Sequence, residues 1–175
     1  IALGVTARTG SGAGNVMVGT NTGDAAITGS QNVAIGPNAG QGIGTSIRTV
    51  SIGYQSTASN SSAIAIGSQT TASGDRTVAL GGTAEATADF ALAVGLSARA
   101  AGQAGVAIGN SASTGTGTEC ISIGSNTGSV ISTGARNISI GASALDANTS
   151  GADNVSIGRD AMTTATTASN NVSIG

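Results

Sequence analysis

Histidine, lysine and tryptophan are missing from the 175 residues, and cysteine, proline, tyrosine and phenylalanine occur once each. Without histidine or lysine, and with one thiol, the usual general bases, nucleophiles and soft metal ligands are nearly gone. Cys120 is alone, so no intrachain disulfide exists and the cysteine count fixes no redox compartment. Tyr54 and Phe90 cannot between them fill an ordinary globular core. Charge is sparse too: eight acids and six bases, the latter Arg8, Arg48, Arg76, Arg99, Arg136 and Arg159, scattered without a basic patch. That spread argues against nucleic acid as a partner. No run approaches the roughly 18 uninterrupted apolar residues of a membrane helix, and no signal-peptide pattern opens the chain.

What the sequence has instead is a repeat. Val78-Ala79-Leu80-Gly81 is one of twelve quartets of the form apolar, small, apolar, glycine, the first at Ile1-Ala2-Leu3-Gly4 and the last at Val172-Ser173-Ile174-Gly175. Their glycines lie 15, 17, 17, 14, 14, 14, 14, 15, 17, 17 and 17 residues apart. Two branched aliphatics around a small residue read as a strand with one buried face, expected apolar side in and small side out. The glycine then ends the strand, where the backbone takes angles, or an approach, that a Cβ forbids.

Columns appear when the quartets are aligned. Three places after each glycine stand Ala7, Thr22, Ala39, Ser56, Thr70, Ala84, Ala98, Ala112, Thr127, Ala144 and Ala161. All are small, which predicts a face that backbone or another chain approaches closely. Between Gly53 and Gly109 the fifth place is always alanine, at Ala58, Ala72, Ala86 and Ala100, and the seventh is Asn60, Gly74, Ala88 and Gly102. This spacing predicts a second short strand facing the first across a thin interior. The 17-residue coils replace it with a longer connection, and four of five end on asparagine before the quartet, at Asn32, Asn137, Asn154 and Asn171. Asparagines stacked at one position can form amide ladders.

A strand returning every 14 to 17 residues is one coil of a solenoid, with quartets stacked in parallel at about 4.8 Å. Helix is not expected, because glycine and β-branched residues recur too often. The chain divides into long coils over 1–53, 14-residue coils over 54–109 and long coils over 110–175, all one repetitive segment. It opens and closes on an uncapped quartet, which reads as a window on a longer chain. Two aliphatics per coil are too few to offset the ordering of some fourteen residues, so association of identical chains is expected to complete the fold.

The 14-residue blocks, such as Ile66-Gly67-Ser68-Gln69-Thr70-Thr71-Ala72-Ser73-Gly74-Asp75-Arg76-Thr77-Val78-Ala79-Leu80-Gly81, resemble the head repeats of trimeric autotransporter adhesins of the YadA type. The 17-residue blocks, such as Asn137-Ile138-Ser139-Ile140-Gly141 through Asn154-Val155-Ser156-Ile157-Gly158, are similar to repeats of phage and viral tail-fibre proteins. The resemblance implies an all-β, left-handed parallel β-roll, assembled as an intertwined or side-by-side homotrimer. It also implies an extracellular location, on a virion tail fibre or a cell surface. The departure from a 14-residue period outside 53–109 favours a fibre shaft over a pure adhesin head. Hexapeptide acyltransferases, which need a catalytic histidine, and calcium-binding nonapeptide rolls fit worse. So does an ice-binding face, since the threonine pairs Thr163-Thr164 and Thr166-Thr167 fall in one coil only.

No catalytic, cofactor-binding or metal site is expected, and no enzyme activity. Asp75, Glu85 and Asp89 are the carboxylates that cluster in sequence, but Arg76 and Arg99 stand close, so surface ion pairs are expected rather than a hydrolytic pair. Gly10-Ser11-Gly12-Ala13-Gly14 has loop composition and no following lysine or helix to make it a phosphate loop. Tyr54 and Phe90 are the only side chains offering stacking area, Tyr54 just after a quartet glycine and Phe90 where it fills a groove between chains. The expected role is structural: a shaft or head segment of a trimeric fibre, carrying a binding tip or adhesive surface. Its partners would be its own copies and a surface receptor, glycan or extracellular matrix, with membrane contact only through parts outside the segment. A tailspike-like glycan hydrolase, with its catalytic part beside or outside the solenoid, is the alternative.

Overall fold

A computed structural model describes residues 1–23, 27–128 and 133–175. Every quartet is a strand of two or three residues, from Ala2–Leu3 through Val78–Leu80 to Val172–Ile174, and the twelve strands form one parallel sheet in chain order. Pairing keeps the quartets in register: Val78 lies beside Leu92, Ala79 beside Ala93 and Leu80 beside Val94. The result is an all-β parallel solenoid of about eleven coils, roughly 50 Å of stacked strands. There is no helix among the described residues.

The alanine columns of the 14-residue coils form the expected second sheet, made of Thr57–Ala58, Thr71–Ala72, Glu85–Ala86 and Arg99–Ala100. It too is parallel and in register, with Ala72 beside Ala58 and Ala86. Between the two sheets lies a core of almost nothing but methyl groups, in which Ala65, Ala79, Ala93, Ala107, Ala58, Ala72, Ala86, Ala84 and Ala98 are all fully buried. In the longer coils the interior widens enough to take Met17, Ile27, Ile43 and Leu145.

One expectation is reversed. The small middle residue of the quartet points inward, and the flanking aliphatics point out: Ala34 and Ala65 are fully buried while Ile35 and Ile66 are 39% and 38% exposed. The cause is the thinness of the roll. The column three places after the glycine is fully buried from Thr22 to Ala144 and faces the quartet's middle residue from across the interior, leaving no room for a branched side chain there. That column is therefore an internal spacer of the roll and not a face offered to another chain.

The asparagine ladder forms within the wall. Asn137 Oδ1 accepts the Asn154 backbone N–H at 3.0 Å and its Nδ2 at 3.1 Å, and Asn154 Oδ1 accepts the same pair from Asn171 at 3.0 Å each. Asn15 and Asn32 make the equivalent link, Asn32 N–H to Asn15 Oδ1 at 2.9 Å, and Thr49 continues it onto Asn32 Oδ1. The side-chain NH2 groups also reach backbone carbonyls of the next coil, Asn137 to Gly151 at 2.8 Å and Asn32 to Ser46 at 2.9 Å, so each amide is satisfied within the wall, the condition for burying it at little cost.

The quartet glycines fill both of their proposed roles. Gly81 has φ +126°, and a Cβ there would come within 2.7 Å of the Gly95 carbonyl carbon in the next coil. Two further left-handed positions turn each coil. They fall two residues after the glycine, as at Gln55, Gln69, Thr83 and Ser97, and two residues before the quartet, as at Ser62, Arg76, Phe90, Ala104 and Glu119, with φ between 53° and 62°.

Candidate functional site

The reversal of the quartet creates the largest feature of the surface. Its two outward rows run the length of the sheet: Val33, Val50, Ile64, Val78, Leu92, Val106, Ile121, Ile138 and Val155 in one, and Ile35, Ile52, Ile66, Leu80, Val94, Ile108, Ile123, Ile140 and Ile157 in the other. All are partly exposed, and no polar or charged residue interrupts either row from the first strand to the last. Twelve strands at about 4.8 Å, with rows about 6.7 Å apart, make a strip of roughly 390 Å². That falls within the roughly 300–600 Å² of the largest apolar patch on a typical monomer, a size that is often functional. The strip is flat and regular because every coil contributes the same two side chains at the same height.

Along one border of the strip runs the corner column two residues before each quartet. Here the charged residues pair between coils: Arg136 makes a bidentate contact with Asp153, 2.6 and 2.8 Å. The guanidinium holds the Asp153 carboxyl below its ordinary range, chiefly by that hydrogen bond. In the same column Arg76 lies over the Phe90 ring, 5.2 Å from its centroid. One coil further on the column holds Ala104, and the next holds Glu119. A cleft of about 260 Å³ opens there, lined by Phe90, Gln103, Ala104, Thr118 and Glu119.

Of the carboxylates singled out in the sequence, two meet arginines and one meets a backbone amide. Asp75 contacts Arg76 at 3.3 Å and Glu85 contacts Arg99 at 3.3 Å, while Asp89 accepts the Asp75 backbone N–H at 2.9 Å. These are solvent-facing ion pairs, worth little to stability. Tyr54 and Phe90 are each 49% exposed. Tyr54 stands in the column after the glycine beside the strip, and Phe90 stands at the cleft. Cys120 occupies the asparagine position of its coil, fully buried, with its Sγ 3.1 Å from the Gly134 carbonyl, and burial raises its pKa. The Gly10–Gly14 run is loop, with φ of 63° at Gly10 and 73° at Gly14.

Residues 45–70, 72–98 and 86–112 match the YadA head domain repeat (2 copies). The middle of the chain is thus similar to YadA-like adhesin head repeats, and the matched residues include all of the second sheet except Thr71. YadA-like head domains are cell-surface modules that in general form homotrimers. A comparison with curated proteins returns no match. No helix among the described residues is long and apolar enough to cross a membrane.

Proposed function

We propose that the chain is a rigid, non-catalytic segment of a homotrimeric extracellular fibre, three left-handed rolls packed through their outward quartet rows. The observation that carries this reading is the continuous aliphatic strip on a chain whose own core is methyl-thin. Covering the strip adds the large apolar burial that the roll lacks internally, at about 25 cal/mol per Å². Around a three-fold axis the strip of each copy can face the strips of the other two, closing the assembly with one repeated contact. The segment acts mechanically, holding a tip or adhesive surface away from the body that bears it, and repeated weak contacts along its side add avidity. The long coils outside the matched stretch depart from the 14-residue head period, which supports a shaft, and a virion tail fibre in preference to a bacterial adhesin.

Sedimentation or native mass measurement tests this directly: a folded trimer is expected, and a stable folded monomer refutes it. Ile108→Asp should prevent assembly, because an unpaired carboxylate covered by two neighbours costs several kcal/mol. Trimers with unchanged melting in that variant would show that the strip is not the shared face.

A further inference from the structure

We propose that the cleft beside Phe90 is a binding site for one neutral pyranose ring, such as a terminal or internal unit of a surface glycan. The backbone gains nothing from phenylalanine there. Phe90 holds φ +62°, a left-handed conformation in which a bulky side chain is unusual, and the same corner carries Ser62, Arg76 and Glu119 in neighbouring coils. One face of its ring is taken by the Arg76 guanidinium. The other side is left open because the next residue in the column is Ala104, whose side chain is too short to cover it.

Two coil spacings, about 9.6 Å, separate the Phe90 level from the Glu119 level. Once a ring stacks on Phe90 at about 3.5–4 Å, the remaining height suits hydrogen bonds from its far side and edge. The groups that meet it are Gln103, Thr118 and Glu119, whose side chains make no hydrogen bond or ion pair among the described residues. An amide, a hydroxyl and a carboxylate together both donate and accept, as sugar hydroxyls do. An apolar platform with a few convergent polar groups is the general form of a small-ligand site. The cleft's 260 Å³ lies just under the range of roughly 300–1,000 Å³ usual for drug-sized ligands, which fits a single ring. The coil repeat supplies the platform and the missing side chain supplies the gap.

The charge around the cleft argues against a cationic guest. Arg76 on one face of the ring repels a second cation on the other, and the Arg136 guanidinium, one coil beyond Glu119, lies near enough to feel its carboxylate. The cleft borders the aliphatic strip, since Phe90 precedes the strand residue Leu92 by two places. An assembled fibre would therefore present it at the edge of each shared face, repeated once per chain. A ligand with several such rings would gain by avidity what one ring lacks in affinity.

The test is saturation-transfer NMR on the full 175-residue chain, with methyl β-glucopyranoside, methyl β-galactopyranoside and N-acetylglucosamine as probes. They are used at about 10 mM, above the roughly millimolar Kd that a single stacked ring supports. Two variants keep the backbone in conformations that the same column already accepts: Phe90→Ser, as at Ser62, removes the platform, and Ala104→Arg, as at Arg48, Arg76 and Arg136, fills the gap. Transfer is expected to the ring C–H protons of at least one sugar in the parent, and to fall about tenfold in both variants while melting and sedimentation stay unchanged. No transfer from any sugar overturns the proposal, as does equal transfer in both variants. So does transfer only from tetramethylammonium, which would make the cleft a cation site. If Phe90→Ser dissociates the assembly while Ala104→Arg leaves transfer intact, Phe90 is a contact between chains and the sugar site is refuted. Failure of the trimer with transfer retained would refute the assembly and leave this site standing.

Discussion

Replacing Gly81 by alanine and, separately, its neighbour Gly82 by alanine adds the same methyl group one residue apart, yet the structure demands opposite outcomes. At Gly81 the new Cβ would lie 2.7 Å from the Gly95 carbonyl carbon and closer still to its oxygen. Ordinary carbon–oxygen contacts are about 3.3 Å or more, so the two coils must part by the better part of an ångström. The ladder bonds that hold them, Gly95 N–H to the Leu80 carbonyl at 2.8 Å and Ser97 N–H to the Gly82 carbonyl at 2.9 Å, would then stretch or bend out of range. Two such bonds at about 0.5–1.5 kcal/mol each, with about 1–3 kcal/mol of backbone strain at φ +126°, give a loss of about 2–6 kcal/mol per chain. For a chain of this size that corresponds to a fall of roughly 10 °C in Tm. At Gly82 the methyl meets only the end of the Leu96 side chain, at 3.3 Å, and the equivalent places in adjacent coils already carry Ser68 and Leu96. That change should stay within about 0.5 kcal/mol. Thermal and denaturant unfolding of the two variants decides the matter. If they lose stability equally, or if Gly81→Ala is silent, backbone contact between quartet glycines does not set the spacing of the coils.

Two more outcomes follow from the register. Deleting residues 68–81 removes one whole coil and should bring Ile64 against Leu92, shortening the rod by about 4.8 Å with a soluble, cooperative fold retained. Deleting only 68–74 should cause aggregation, and like behaviour of the two by scattering and melting would show that the coil is not the folding unit. Cys120, buried and with its thiol pKa raised by that burial, should resist iodoacetamide at pH 8 until the chain unfolds. Rapid alkylation of the native protein would contradict its placement in the wall.

Much of this architecture could be read from the residues alone. The twelve quartets announced the strands, the alanines at 58, 72, 86 and 100 announced the second sheet, and the asparagines at 137, 154 and 171 announced the ladder. The direction in which the quartet faces could not be read that way. Alternation separates two faces without saying which is inside, and a reading confined to one chain puts the larger side chains there. The interior width decides it, and that width is set jointly by Ala79, Ala84 and Ala86, residues from different columns. The cleft was hidden for another reason. Phe90, Ala104 and Glu119 look unrelated until offsets of 14 and 15 residues align them, and their left-handed corners carry none of the glycine or asparagine that would mark a turn.

Those corners give the rod a property of a different kind. Their side chains take no part in closing a coil, since backbone bonds such as Phe90 N–H to the Asp75 carbonyl at 2.9 Å and Ala104 N–H to the Asp89 carbonyl at 3.0 Å do that work whatever residue stands there. The column can therefore hold a ring, a methyl group, a carboxylate or a guanidinium in succession without disturbing the stack. It behaves as a strip of interchangeable type set at a pitch of about 4.8 Å, and new chemistry can be spelled along it one coil at a time while the metre of the fibre stays the same.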